Sequence, residues 1–143
     1  MRTSPTPLVA RPAWYDRNPI VKADSYWAAA VSPHSETTRL QYTVPSGKKA
    51  MVEVLQAGMV QESAPTTPGR AAAFWTITPS GGTEKYLLTA DIVATAEGDS
   101  SIIGVGSSLI LKAGDVLKGK TYDSGSGGTK VILLSYKITE FDA

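Results

Sequence analysis

The sequence of 143 residues has no cysteine and a single histidine, and its acidic and basic side chains nearly cancel. Without cysteine there is no disulfide framework, no thiolate metal site and no cysteine nucleophile. With His34 alone, a multi-histidine metal centre is excluded, including the histidine-rich centre of cupins. A Ser-His-Asp arrangement would have to use His34, which follows Pro33 and has no G-x-S-x-G elbow to serve. A formal charge of +1 provides no field that would draw the chain to nucleic acid or to an anionic membrane.

Long apolar runs are also missing. The longest, Trp27 to Val31, is far short of the ~20 residues that span a bilayer. The N-terminal stretch lacks the apolar core of a signal peptide and is interrupted by Pro5, Pro7 and Pro12. The expectation is a soluble protein made in the cytoplasm. Chemistry-bearing motifs are sparse. Ser126-Gly127-Gly128-Thr129-Lys130 has phosphate-loop ingredients in the wrong order and ahead of a strand, so it reads as a flexible hairpin tip. Asp91, Glu97, Asp99 and Asp115 offer carboxylates for an acid pair or a calcium ion, but without the alternating acids of an EF-hand. They read as solvated charge. Lys112, Lys118, Lys120 and Lys130 read as a solvated edge that discourages strand pairing. No cofactor, metal or catalytic residue is assigned, and the chain reads as non-enzymatic.

What is present divides the chain in two. Residues 1–35 hold five of the nine prolines and form an extended N-terminal arm. Within it, Asp24 to Ala30 has the composition of a short helical turn capped by Asp24 or Ser25. Residues 36–143 read as an antiparallel β-sandwich, either a jelly roll or a simpler sandwich. Leu40, Tyr42 and Val44 alternate with polar neighbours, whereas Ala50, Val52 and Val54 face inward opposite a mixed row of Lys49, Met51, Glu53 and Leu55. Gln61 to Arg70 reads as an exposed loop. Phe74 to Thr78 and Glu84 to Thr89, around Pro79-Ser80-Gly81-Gly82, predict a hairpin continuing towards Val93. Ser101 to Val105 and Ser108 to Leu111 suggest two short strands. Ile132, Leu134, Tyr136 and Ile138 predict a central strand, in a hairpin with the strand ending at Tyr122.

The arm is rich in aromatics for an extended segment, with Trp14-Tyr15 and Tyr26-Trp27. Each such ring buries ~150–250 Å², worth roughly 4–6 kcal/mol before ordering costs. Arg11, Trp14, Tyr15, Arg17, Tyr26 and Trp27 are therefore candidate partner-docking residues. The alternative is that they fold back over an open edge of the chain's own sandwich.

Two stretches carry a resemblance. Tyr42-Thr43-Val44-Pro45-Ser46-Gly47-Lys48-Lys49-Ala50 and Leu111-Lys112-Ala113-Gly114-Asp115-Val116-Leu117, with the terminal strand Lys130 to Phe141, resemble small β-sandwich virion proteins of tailed bacteriophages. Together they cover about a third of the domain, and as plain turn chemistry each is moderately specific. The resemblance implies a virion protein that decorates the capsid or serves as a tail accessory. It implies a homotrimer or ring, a major capsid or tail protein as partner, and no cofactor, nucleic acid or membrane. An alternative from a different class is a receptor- or carbohydrate-binding module at a tail tip, using the loops Gln61 to Arg70 and Asp123 to Thr129.

Overall fold

The structure, a computed structural model, describes residues 20–29 and 36–143, with the backbone alone at 27–29 and 105–108. Eight strands follow one another: β1 (Ile20–Ala29), β2 (Thr37–Thr43), β3 (Lys48–Gln61), β4 (Gly69–Thr78), β5 (Lys85–Ala94), β6 (Ser100–Lys112), β7 (Val116–Asp123) and β8 (Lys130–Asp142). They make two four-stranded antiparallel sheets, one in the order β1-β8-β3-β6 (sheet A) and one in the order β2-β7-β4-β5 (sheet B). The pairings are nested: β4 with β5, β3 with β6, β2 with β7 and β1 with β8. Nested pairing across two sheets is the jelly-roll arrangement, so the all-β sandwich expected from the sequence is the fold observed.

The core lies between the sheets. Alternation puts Ala50, Val52, Ala57 and Met59 of β3 inward with Ile132, Leu134 and Ile138 of β8. Ala71, Ala73 and Trp75 of β4 and Leu117 of β7 face them from sheet B. Trp75 is fully buried, and its Nε1 donates to the Gln56 carbonyl at 2.8 Å. Its ring meets Tyr136 edge-on at 5.8 Å. Gly119 makes room for that indole: a Cβ there would lie 3.0 Å from Trp75 Cη2 and 3.2 Å from a Leu134 methyl.

Several expectations are corrected. The stretch from Asp24 to Ala29 is strand rather than helix, because ladder pairing with β8 over the whole of β1 outweighs the weak helix preference of a few alanines. Ala30 lies outside the described residues. The alternation of β3 is interrupted between Val52 and Val54 by a register shift towards both neighbours, so Leu55, and not Val54, is buried. The two short strands after Ser100 are one continuous β6.

The expected last hairpin does not form, because β7 belongs to sheet B and β8 to sheet A. The segment between them crosses from one sheet to the other and is tied down on the way. Ser126 bridges Thr67 in both directions at 3.0 Å, and Thr129 N donates to Ser63 Oγ at 2.7 Å. This is not the flexible tip read from its glycines. At its margins Lys130 Nζ lies 2.7 Å from Asp123 Oδ2, with both side chains almost fully buried. The hairpin of β4 and β5 and the central position of β8 are as the alternation predicted.

Candidate functional site

The four acidic candidates are dispersed, and each has structural partners or a turn to itself. Asp99 accepts from Thr95 N at 2.9 Å and Ala96 N at 3.0 Å, and those two backbone donors hold its carboxyl below the usual range. Asp115 accepts from Lys112 N at 2.8 Å and from Ser80 N at 2.9 Å. Asp91 takes a forked contact from Arg70, through Nε at 2.8 Å and Nη2 at 2.7 Å. Glu97 sits in the turn between β5 and β6. Among the described residues there is no group of three or more histidine, aspartate or glutamate side chains that could hold a metal ion.

Of the expected docking residues, Arg11, Trp14, Tyr15 and Arg17 lie outside the described residues. Tyr26 stands in the inward row of β1, packed against the core with the Arg39 guanidinium 5.4 Å from its ring centroid. Trp27 is described by its backbone alone, which pairs with Leu133 of β8. The inward row continues with Lys22, whose ammonium lies 3.0 Å from the buried Glu140 carboxylate. Glu140 also accepts from the Tyr42 hydroxyl at 2.7 Å. Burial, and then that bond to a carboxylate, push the Tyr42 phenol well above its ordinary value. The lysines expected to be solvated are not uniformly so. Lys120 is 8% exposed and Lys130 3%, each engaged by carboxylates that a reading of isolated residues could not place.

Two outer faces remain. On sheet A, the outward residues of adjoining strands are apolar to an unusual degree. Leu133, Gly58 and Ile102 lie in one row across β8, β3 and β6, with Val131 and Val60 in the next row. Ile102 is 70% exposed. A Cβ on Gly58 would sit 3.3 Å from Ile102 Cγ1 and 3.6 Å from Leu133 Cβ, so these two side chains converge over the glycine and form a continuous apolar strip. Past a polar middle, where Ser135 Oγ donates to Gln56 Oε1 at 2.9 Å and Lys137 Nζ lies 3.2 Å from Glu53 Oε2, Val21, Met51 and Ile110 share a row with Thr139, and Val21 and Ile110 are exposed. The free edge of this sheet, β6, has no charged residue before Lys112.

The outer face of sheet B is different. Lys120 Nζ lies 2.5 Å from Glu84 Oε1 and 3.5 Å from Glu36 Oε2. Thr76 Oγ1 donates to Glu84 at 2.6 Å. The lysine and then the threonine hold the Glu84 carboxyl below its usual range. Beside this network runs a groove of about 440 Å³, lined by Glu36, Arg70, Ala72, Phe74, Tyr86 and Tyr122, with Thr89 at its side. The register explains it. The row Tyr122, Ala72, Asp91 has a methyl group between two taller side chains, which leaves a trough along β4. Phe74 continues the floor, 5.4 Å from the Tyr86 ring, and the Tyr86 hydroxyl donates to Glu36 at 3.2 Å. Sequence reasoning missed this site because its residues come from β4, β5, β7 and the segment before β2.

No protein-family model matches the chain, and no curated protein matches it in sequence. Solved structures resemble it distantly. One is from the cyanophage Pam1 capsid asymmetric unit, 12% identical over 100% of this chain and 98% of that chain, with a TM-score of 0.47. Another is from Desmodium yellow mottle tymovirus, 16% identical over 100% of this chain and 95% of that one, at 0.41. A third, from infectious bursal disease virus Gx strain, is 12% identical over 94% of this chain, at 0.44, and this chain spans 36% of its length. At these scores the likenesses carry no argument about function, and the fold rests on the strand pairings.

Proposed function

We propose that this chain is a structural virion protein of a tailed phage, which associates with copies of itself and decorates or stabilises a capsid or serves as a tail accessory. The observation that carries this reading is the apolar strip of Val131, Leu133, Val60 and Ile102 at one end of the outer face of sheet A. In a two-sheet sandwich the outward residues are ordinarily polar, and a contiguous apolar band marks an interaction surface. The edge strand beside it, with no charged residue before Lys112, adds unpaired backbone donors and acceptors.

The residues behind the resemblance also support it. The turns after Val44 and after Leu111, far apart in sequence, are joined in space: Val44 N donates to the Asp115 carbonyl at 3.0 Å, and Gly114 N to the Val44 carbonyl at 2.9 Å. They form one structural unit instead of two coincidental turns. A homotrimer or ring that binds a lattice of identical sites needs only modest affinity per copy. A receptor- or carbohydrate-binding role would use the groove of Tyr86 and Tyr122 instead of the two loops read from the sequence, since those loops are laced to each other.

Light scattering of the full chain over a range of concentrations tests the reading. A mass of three or more copies that falls on dilution is expected. A monomer at every concentration would overturn it.

A further inference from the structure

The groove on sheet B and the segment before β1 have complementary chemistry. Residues 1–19 contain four prolines, Pro5, Pro7, Pro12 and Pro19, and three arginines against the one acid, Asp16. Such a segment favours the extended polyproline conformation, which has no internal hydrogen bonds and leaves its carbonyls free to accept. Proline also lacks an N–H, so the segment makes a poor added strand for the β6 edge. It is suited to a trough walled by aromatic rings with donors at the rim, where proline rings pack on aromatic faces. The groove offers Tyr86 and Tyr122 on its two sides, Phe74 and Ala72 on its floor, and Arg70 at one end. At the other end stands the half-exposed Glu36 carboxylate, the charge that Arg11 or Arg17 would seek.

Length lets the segment reach a neighbour's groove, and direction favours that over the chain's own. Nineteen residues in polyproline geometry reach about 60 Å, against a diameter of roughly 40 Å for a compact chain of this size. The segment joins β1, an outer strand of sheet A beside β2, whereas the groove lies towards the opposite side of the sandwich, over β7, β4 and β5 of sheet B. Resting on the self-assembling role proposed above, we propose that the groove over Ala72 and Phe74 receives the Pro-rich segment 1–19 of a second copy of this chain.

The absence of cysteine makes the test clean. Full-length Ala13→Cys and full-length Thr89→Cys are mixed and treated with a short thiol-to-thiol cross-linker. The expected result is a band at twice the chain mass, at least tenfold weaker in a Tyr86→Ala/Tyr122→Ala background and absent when Thr43→Cys on β2 replaces Thr89→Cys. Linkage found only within one chain, in an Ala13→Cys/Thr89→Cys double variant, would overturn the second-copy assignment. Copies that associate by light scattering without any link at Thr89→Cys would overturn the groove proposal and leave the structural role standing. Monomers without links would overturn both. A neutral oligosaccharide that shifts the Tyr86 and Tyr122 resonances while no link forms would make the groove a sugar site, and the arm proposal falls.

Discussion

The two outer faces of this sandwich are built by the same alternation and end in opposite states. Outside its groove, sheet B closes its face with its own side chains: Lys120, Glu84, Glu36 and Thr76 satisfy one another, and Phe74, 3% exposed, lies beneath Tyr86. Sheet A leaves Ile102 open to solvent beside Leu133 and Val60, and Ile110 open at the other end beside Met51. A face finished within the chain contributes to the stability of the single chain. An unfinished one contributes to association, where the same apolar area is removed from water only when a second surface arrives.

That difference predicts separable effects. Phe74→Ala, on the finished face, should lower unfolding free energy by about 3 kcal/mol in urea denaturation, since it removes a covered ring and leaves a void. Association through the sheet A strip should stay the same, and only the cross-link at Thr89→Cys in the groove that Phe74 floors should weaken. Ile102→Lys, on the unfinished face, should do the reverse. Association should weaken by ~30-fold, about 2 kcal/mol at a central apolar contact, while stability shifts by no more than ~0.5 kcal/mol, as for a surface site. A loss of stability equal in the two variants would erase the contrast.

The smallest effect is in pH. Glu84 is held below its usual range in the folded chain, so its contribution is fully present above the unfolded value near ~4.3 and is lost as pH falls through the folded value. The urea midpoint should therefore drop on acidification below about pH 4. Glu84→Gln should make that slope shallower and leave the pH dependence of association alone. An unchanged slope would mean that the Lys120 contact is solvated away.

The sequence made legible whatever depends on a residue and its near neighbours. The period of two in β8 identified Ile132, Leu134 and Ile138 as core, and Pro79-Ser80-Gly81-Gly82 marked a local hairpin. What stayed hidden depends on partners distant in the chain. The strand state of Ser25 and Tyr26 is set by Ser135 and Leu134, more than a hundred positions away. The burial of Lys120 and Lys130 is set by Glu84 and Asp123, and the switch from Val54 to Leu55 by a bulge against two neighbouring strands. The groove was least visible of all, because Ala72 is unremarkable until Tyr122 and Asp91 stand on either side of it.

The nested strand order also has a consequence in time. Only β4 and β5 are neighbours both along the chain and in their sheet; β3 must wait for β6, β2 for β7 and β1 for β8. Long-range pairings of this kind close slowly, because each must overcome the entropy of the loop it encloses. During synthesis Ile20 has no Glu140 to meet until nearly the whole sequence has emerged. The earliest of the described strands is thus the last to find its place, and until it does the edge of β8 is open to any copy nearby.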